Sequence, residues 1–242
     1  SILPKWVREG GTRAALQRLK DPLVRQKVKD NPAPMLLIVK ARQWKEIVLL
    51  NARVNRDLIG MDFAEIGRMR QVDPYDAVMD MLIEEGDDAP RLMWATHSFS
   101  EDQVEMFMKE TACAVISDTA ALAPEGVLQD QLFSLSGYGW AARFLQHYVR
   151  DRQVLPLAEA IRRITALPAS RLGVRDRGSL QVGNWADVTV FDAANIESRF
   201  TVEKPRTYPG GIAHVMVNGQ FAMRNGARTD TNNGRVLREF HA

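Results

Sequence analysis

Apolar residues recur at helical spacing through much of residues 1–88. Residues 12–30 carry Leu16, Leu19, Leu23 and Val28, a helical stripe with one irregular step, and Asn31-Pro32-Ala33-Pro34 ends it. Residues 35–40 and 47–50 are short apolar runs, partly β-branched, and read as strands. Asp62 with Glu65 three residues later opens a short helix. Asp73-Pro74 opens a longer one, with Val78, Met81 and Leu82 on its inner stripe.

A strand–helix–strand unit follows. Residues 92–96 form a short apolar run, and Ser100-Glu101-Asp102-Gln103 is a capping box. Phe99 and Val104 flank that box as a hydrophobic staple. Residues 112–116 are continuously apolar and end in Ser117-Asp118, the pattern of a buried parallel strand in an α/β protein. Residues 138–150 and 156–166 are amphipathic helices. From Arg175 the texture changes: glycines separate β-rich runs at 186–191 and 212–218, and Asn218-Gly219 signals a hairpin. A boundary near residue 175 therefore separates a small β subdomain.

Composition narrows the classes. The 242 residues hold 32 Lys+Arg against 30 Asp+Glu and are 45% hydrophobic, which excludes a disordered, collagen-like or disulfide-scaffold protein. A net charge of +2 supplies no electrostatic reason to expect nucleic acid or an anionic membrane as partner. The single Cys113 has no internal partner, which suits a reducing, cytoplasmic setting. The longest apolar runs fall far short of a bilayer span, and no signal-peptide pattern opens the chain. The opening Ser1-Ile2-Leu3-Pro4, without Met, reads as a cut inside a longer protein.

Asp118 is the leading candidate for chemistry. It follows a buried-strand pattern, and strand ends carry the functional groups of α/β barrels and doubly wound sheets. A carboxylate there suits a general base or a metal ligand; the competing reading is an Asx cap on the next turn. His97 ends the preceding strand pattern and would neighbour Asp118 in a parallel sheet, as a proton-transfer partner or as a hydrogen-bonded loop histidine. His147, His214 and His241 read as structural. No His-x-His, His-Glu-x-x-His, cysteine pair, phosphate loop or Gly-x-Ser-x-Gly elbow is present, so this chain contains no complete metal cage. Cys113 reads as inert core, and Arg162-Arg163 as solvated charges complementing a helix C-terminus.

Ordered motifs carry a resemblance. From Tyr138 onward they are Leu155-Pro156-Leu157-Ala158-Glu159-Ala160-Ile161-Arg162-Arg163-Ile164-Thr165, Asp176-Arg177-Gly178, Gly183-Asn184-Trp185-Ala186-Asp187, Val217-Asn218-Gly219 and Gly234-Arg235-Val236. Upstream stand Leu3-Pro4-Lys5-Trp6 with Glu9-Gly10-Gly11, Ser100-Glu101-Asp102-Gln103-Val104 and Ile116-Ser117-Asp118. Together they resemble the C-terminal portion of N-acyl-D-amino-acid deacylases (D-aminoacylases), of the amidohydrolase superfamily.

The resemblance implies an α/β fold: the C-terminal part of a TIM-type (β/α)8 barrel with a helical insertion, plus a share of a small β-sandwich. Residues 1–88 would be the insertion over the barrel, 89–174 the last barrel strands and helices, and 175–242 the sandwich share. It implies a zinc cofactor whose main ligands lie outside this chain, with Asp118 as a weak additional ligand. Asp118 would take a proton from zinc-bound water and pass it to the leaving nitrogen of an N-acyl amide. Phe99, His97 and Tyr138 would line the substrate pocket. The partners implied are the N-terminal portion of the same enzyme, in cis or as a second chain, and a small-molecule amide; an oligomer is compatible with this. One departure stands out: many members carry a His-Pro-Arg phrase whose arginine clamps the substrate carboxylate, and here Leu135-Ser136 occupy the Pro-Arg positions. That loss motivates the alternative of a degenerate amidohydrolase-like protein with a structural or binding role.

Overall fold

The structure is a computed structural model; it describes residues 2–32, 37–119, 123, 125, 126, 129, 135–202 and 204–237, with the side chains of Leu135 and Ser136 set apart. These residues form two compact units, mainly residues 1–100 in the first and residues 101–121, 136–201 and 205–242 in the second.

In the first unit, short helices surround one antiparallel strand pair. Helices α1 (Lys5–Arg8) and α2 (Gly11–Leu19) lead into α3 (Pro22–Asp30). The single stripe expected over 12–30 is divided between α2 and α3. Pro22 lacks the N–H that would continue α2, and Asp21 caps the new helix by accepting from the Leu23 amide at 2.8 Å. After α4 (Leu37–Lys40), strand β1 (Ile47–Asn51) begins. The strand expected over 35–40 is thus helical at Leu37–Lys40, and its first two positions lie outside the described residues.

Helices α5 (Phe63–Arg70) and α6 (Pro74–Glu85) start where their caps predict: Asp62 accepts from Glu65 N at 2.7 Å and Asp73 from Tyr75 N at 2.9 Å. Strand β2 (Met93–Thr96) pairs antiparallel with β1, Ile47 opposite Thr96. The core packs against these strands and helices. Phe63, Ile66, Leu49, Met79 and Met81 are fully buried, each contributing about 1.5–3 kcal/mol of transfer free energy. Phe63 meets Trp94 edge-on at 6.0 Å, and Tyr75 packs on Trp44 while its hydroxyl donates to the Ile2 carbonyl at 2.6 Å.

The second unit begins with α7 (Glu101–Lys109). Residues 112–116 then form no ladder with any described strand, so the parallel β-α-β unit predicted from 92–116 is not what the described residues build: β2 pairs antiparallel with β1 instead. Backbone carbonyls of an extended segment need donors, and here those of Cys113 and Ala112 find them in arginine side chains, described below. Helix α8 (Trp140–Arg143) runs directly into a π-helical stretch, Phe144–Asp151, followed by α9 (Leu157–Ile164) and α10 (Ala166–Arg171). Phe144, Leu145, Val149, Leu155 and Ala160 make the core with Met108 and Ile196.

A four-stranded antiparallel sheet completes this unit in the order β3 (Val188–Phe191), β4 (Ile212–Val217), β5 (Gln220–Arg224) and β6 (Ala227–Arg228). Asn218 and Gly219, both at positive φ (49° and 79°), form the tight turn between β4 and β5 that their sequence predicts.

Candidate functional site

Asp118 ends the extended stretch that follows α7. It is exposed, its φ is +45°, and among the described residues its carboxylate has no hydrogen-bond or ion-pair partner. Positive φ is uncommon outside glycine, and aspartate is among the few residues that adopt it readily. Beside it, the Thr119 hydroxyl is buried without a partner among the described residues.

The stretch leading to Asp118 is fixed by arginines of α9 and α10. Arg163 Nη1 donates to the carbonyls of Met108 at 2.6 Å and Glu110 at 2.5 Å. Arg162 reaches the Thr111 carbonyl at 3.1 Å and Arg171 the Ala112 carbonyl at 2.7 Å. Glu159 holds the guanidinia from the other side, accepting from Arg162 Nε at 2.7 Å and Arg163 Nε at 2.8 Å. These hydrogen bonds, from Arg162 first and Arg163 next, lower the Glu159 carboxyl to about 2. The reading of Arg162-Arg163 as solvated helix-end charges is therefore corrected at Arg163, which is 1% exposed and whose Nη1 donates to backbone carbonyls, while Arg162 keeps a partly exposed side chain. The signal that pointed there is Glu159 at i−3 and i−4 from the two arginines, ideal for helical pairing.

The other predicted site residues fall elsewhere. His97 is in the first unit, where its amide donates to the Glu46 carbonyl at 2.9 Å and its Nδ1 lies 3.5 Å from the Glu46 carboxylate. Its carboxylate neighbour is thus Glu46. Phe99 is 70% exposed. Tyr138 is buried in the second unit against Tyr208, ring centroids 5.3 Å apart, and its hydroxyl finds no acceptor among the described residues. Burial pushes the Tyr138 phenol up, Tyr208 adds to this and Arg206 opposes it.

The remaining candidates read as structure. His147 Nε2 lies 3.8 Å from Glu101, and His214 Nδ1 accepts from the Asn225 amide. His241 lies outside the described residues, as do the side chains of Leu135 and Ser136. Cys113 is only partly buried, so it is not the core residue its apolar neighbours suggest.

Among the described residues no cluster of His, Cys, Asp and Glu is placed to hold a metal ion. Among the described residues no helix is long and apolar enough to cross a membrane. An apolar cleft of about 350 Å³ in the second unit is lined by Leu145, Ile161, Ile164, Phe191, Ile196 and Ile212, and Asp118 is not part of it.

The motifs at 176–178, 183–187 and 217–219 prove to be one fastening. The Asp187 carboxylate accepts from the Asn218 amide at 2.8 Å and from Arg177, and Arg177 also donates to Asn218 Oδ1 at 2.6 Å. Trp185 is sandwiched by cations, with the guanidinium carbons of Arg177 and Arg235 at 5.2 and 4.9 Å from its ring. The Gly-x-x-Ala-Asp phrase thus secures the β4–β5 turn.

These features coincide with a family signature. Residues 128–223 match the model of the amidohydrolase family. Within that class the chain is similar to N-acyl-D-amino-acid deacylases. It is 38% identical over 141 residues to N-acyl-D-glutamate deacylase of Alcaligenes xylosoxydans xylosoxydans, covering 58% of this chain and 27% of that one. It is 41% identical over 100 residues to D-aminoacylase of the same organism, covering 41% of this chain and 21% of that protein. Among solved structures it superposes on D-aminoacylase with a TM-score of 0.61 at 26% identity, over 80% of this chain and 38% of that one. It also superposes on N-acyl-D-glutamate deacylase from Bordetella bronchiseptica, complexed with zinc and a phosphonate that mimics the tetrahedral intermediate. There the TM-score is 0.59 at 28% identity, over 78% and 38% of the two chains. The chain thus spans well under half the length of these relatives.

Proposed function

We propose that this chain is the C-terminal portion of a metal-dependent amidohydrolase that cleaves an N-acyl amide, such as an N-acyl-D-amino acid, with Asp118 moving the proton. The observation that carries the reading is the 38% identity to N-acyl-D-glutamate deacylase over 141 residues. An exposed, unpaired carboxylate at Asp118, at the end of a segment locked from behind, supports it.

The chemistry at Asp118 is a two-way transfer. Its carboxylate accepts a proton as water attacks the amide carbon, and the same oxygen returns that proton to the nitrogen as the carbon–nitrogen bond breaks. In this reading residues 112–118 are the last barrel strand, residues 1–88 lie over the barrel, and residues 175–242 belong to the β-sandwich. Zinc, present in the related N-acyl-D-glutamate deacylase structure, is the metal expected, and when bound it would supply Lewis-acid polarisation and a lowered water pKa. The described residues offer it only the single Asp118 carboxylate, so they do not form its site; the ligands belong to sequence outside them.

The test is Asp118→Asn in the protein that carries this chain. Turnover of N-acetyl-D-glutamate should fall at least about 10³-fold, with metal content by atomic emission unchanged. Turnover within threefold of the parent would discard the role of Asp118. Absence of any turnover in the parent, over a panel of N-acyl-D-amino acids and neutral amides, would favour the structural or binding role instead.

A further inference from the structure

We infer that Arg163 is a positioning residue for Asp118, an inference that rests on the proton-transfer role proposed for that aspartate. Arg163 is among the most deeply buried side chains of the protein. Its Nη1 reaches three carbonyls: Met108 in the last turn of α7, Glu110 just beyond it, and Cys113 at 3.3 Å in the extended stretch. Its Nε is held by Glu159, and its own carbonyl accepts from the Val115 amide at 3.1 Å. One residue therefore grips the segment by side chain and backbone on both sides of the turn that precedes Asp118. The last gripped position is three residues before the aspartate.

A purely space-filling role does not need this residue. Burying a guanidinium is costly unless every donor is placed, and an apolar side chain of similar volume fills such a space at less cost. What only arginine supplies is a rigid planar group whose Nε holds Glu159 while its Nη1 meets the carbonyls of Met108, Glu110 and Cys113, so that anchor and acceptors are fixed relative to one another. Asp118 has no bond of its own among the described residues, so its location is inherited from the backbone that delivers it. Lysine at 163 could meet carbonyls from its single nitrogen but would lose the simultaneous hold on Glu159; methionine would leave all three carbonyls without it.

Hydrogen exchange on the protein that carries this chain reads the grip without reference to activity. Arg163→Met should speed exchange across 108–118 at least tenfold while peptides from β4 and β5 are unchanged, with Arg163→Lys in between. In the protein that carries this chain, the Met variant should lower kcat for N-acetyl-D-glutamate about 10²-fold with KM within twofold, and Lys should recover part of it. Combined with Asp118→Asn it should cost nothing further. If Arg163→Met fails to fold, Glu159→Gln, which removes only the anchor on Nε, should give the same pattern at smaller amplitude. Unchanged exchange at 108–118 overturns the inference. So does faster exchange with kcat per folded molecule intact, which would make Arg163 a stabilising residue alone. Turnover that survives Asp118→Asn overturns the proton-transfer reading beneath it, and the exchange data then separate that failure from a failure of the grip.

Discussion

Glu85 Oε1 lies 3.0 Å from both the backbone nitrogen and the side-chain Nδ2 of Asn55. The same carboxylate accepts from the amides of Arg53 and Val54, so a loop after β1 is wrapped around one buried anion at the end of α6. Burial works to raise the Glu85 pKa, but the donors of Asn55, Arg53 and Val54 together prevail and lower it.

Replacing Glu85 with Ala should therefore destabilise the protein by about 3 kcal/mol, since amides of the loop are left without acceptors. Glu85→Gln should cost less, as it keeps one acceptor oxygen. The check is a urea unfolding series in which the midpoint moves and the slope does not.

Glu159 gives the clearest pH dependence. Its folded pKa, about 2, is depressed from an ordinary 4.5 by the Arg162 and Arg163 hydrogen bonds. The unfolded state binds the proton first as pH falls, so the stabilisation is whole above about pH 4.5 and drains away between there and about pH 2. The stability gap between the parent and Glu159→Gln should be constant from pH 7 to 5 and close toward pH 2, followed by circular dichroism.

Gly178 sits at φ +83°, and a Cβ there would stand 2.7 Å from Ala169 Cβ. Left-handed backbone costs about 1–2 kcal/mol for an L-residue and the overlap adds about as much. Gly178→Ala should thus lower stability by about 3 kcal/mol, measured as a fall in Tm. Gly183→Ala, at φ +97° but facing open space, should cost only the backbone part.

Local signals were legible where a few neighbouring residues settle them. Asp62 and Asp73 mark the starts of α5 and α6 because their caps are local hydrogen bonds, and Asn218-Gly219 marks its turn because few residues tolerate those dihedrals. Reading failed where the partner is distant. Residues 112–116 have the composition of a buried strand, but a ladder is a property of two segments, and among the described residues no second segment pairs with them; Arg163 and Arg171 donate to the carbonyls of Cys113 and Ala112 instead. His97 illustrates the same limit: its strand was recognised, but the carboxylate beside it is Glu46 across an antiparallel pair. Asp118 is a candidate from its place after an apolar run; the bonds that Arg163 makes to the segment before it are not legible, because Arg163 looks like any other helix-surface arginine until its acceptors are known.

The π-helical stretch Phe144–Asp151 has a consequence for how this region tolerates change in length. Its wider winding, seen in the Arg152 amide bonding five residues back to His147, absorbs an extra residue without lengthening the core contact. Removing one residue from it should therefore let ordinary winding resume with the residues downstream in the same angular phase, whereas an insertion into plain α winding would turn them by about 100° about the axis. Leu145, Val149 and Leu155 would then keep their seats in the core. The stretch therefore works as a phase adjuster: it is the place in the second unit where the chain can lose a residue while the core positions on either side stay in step.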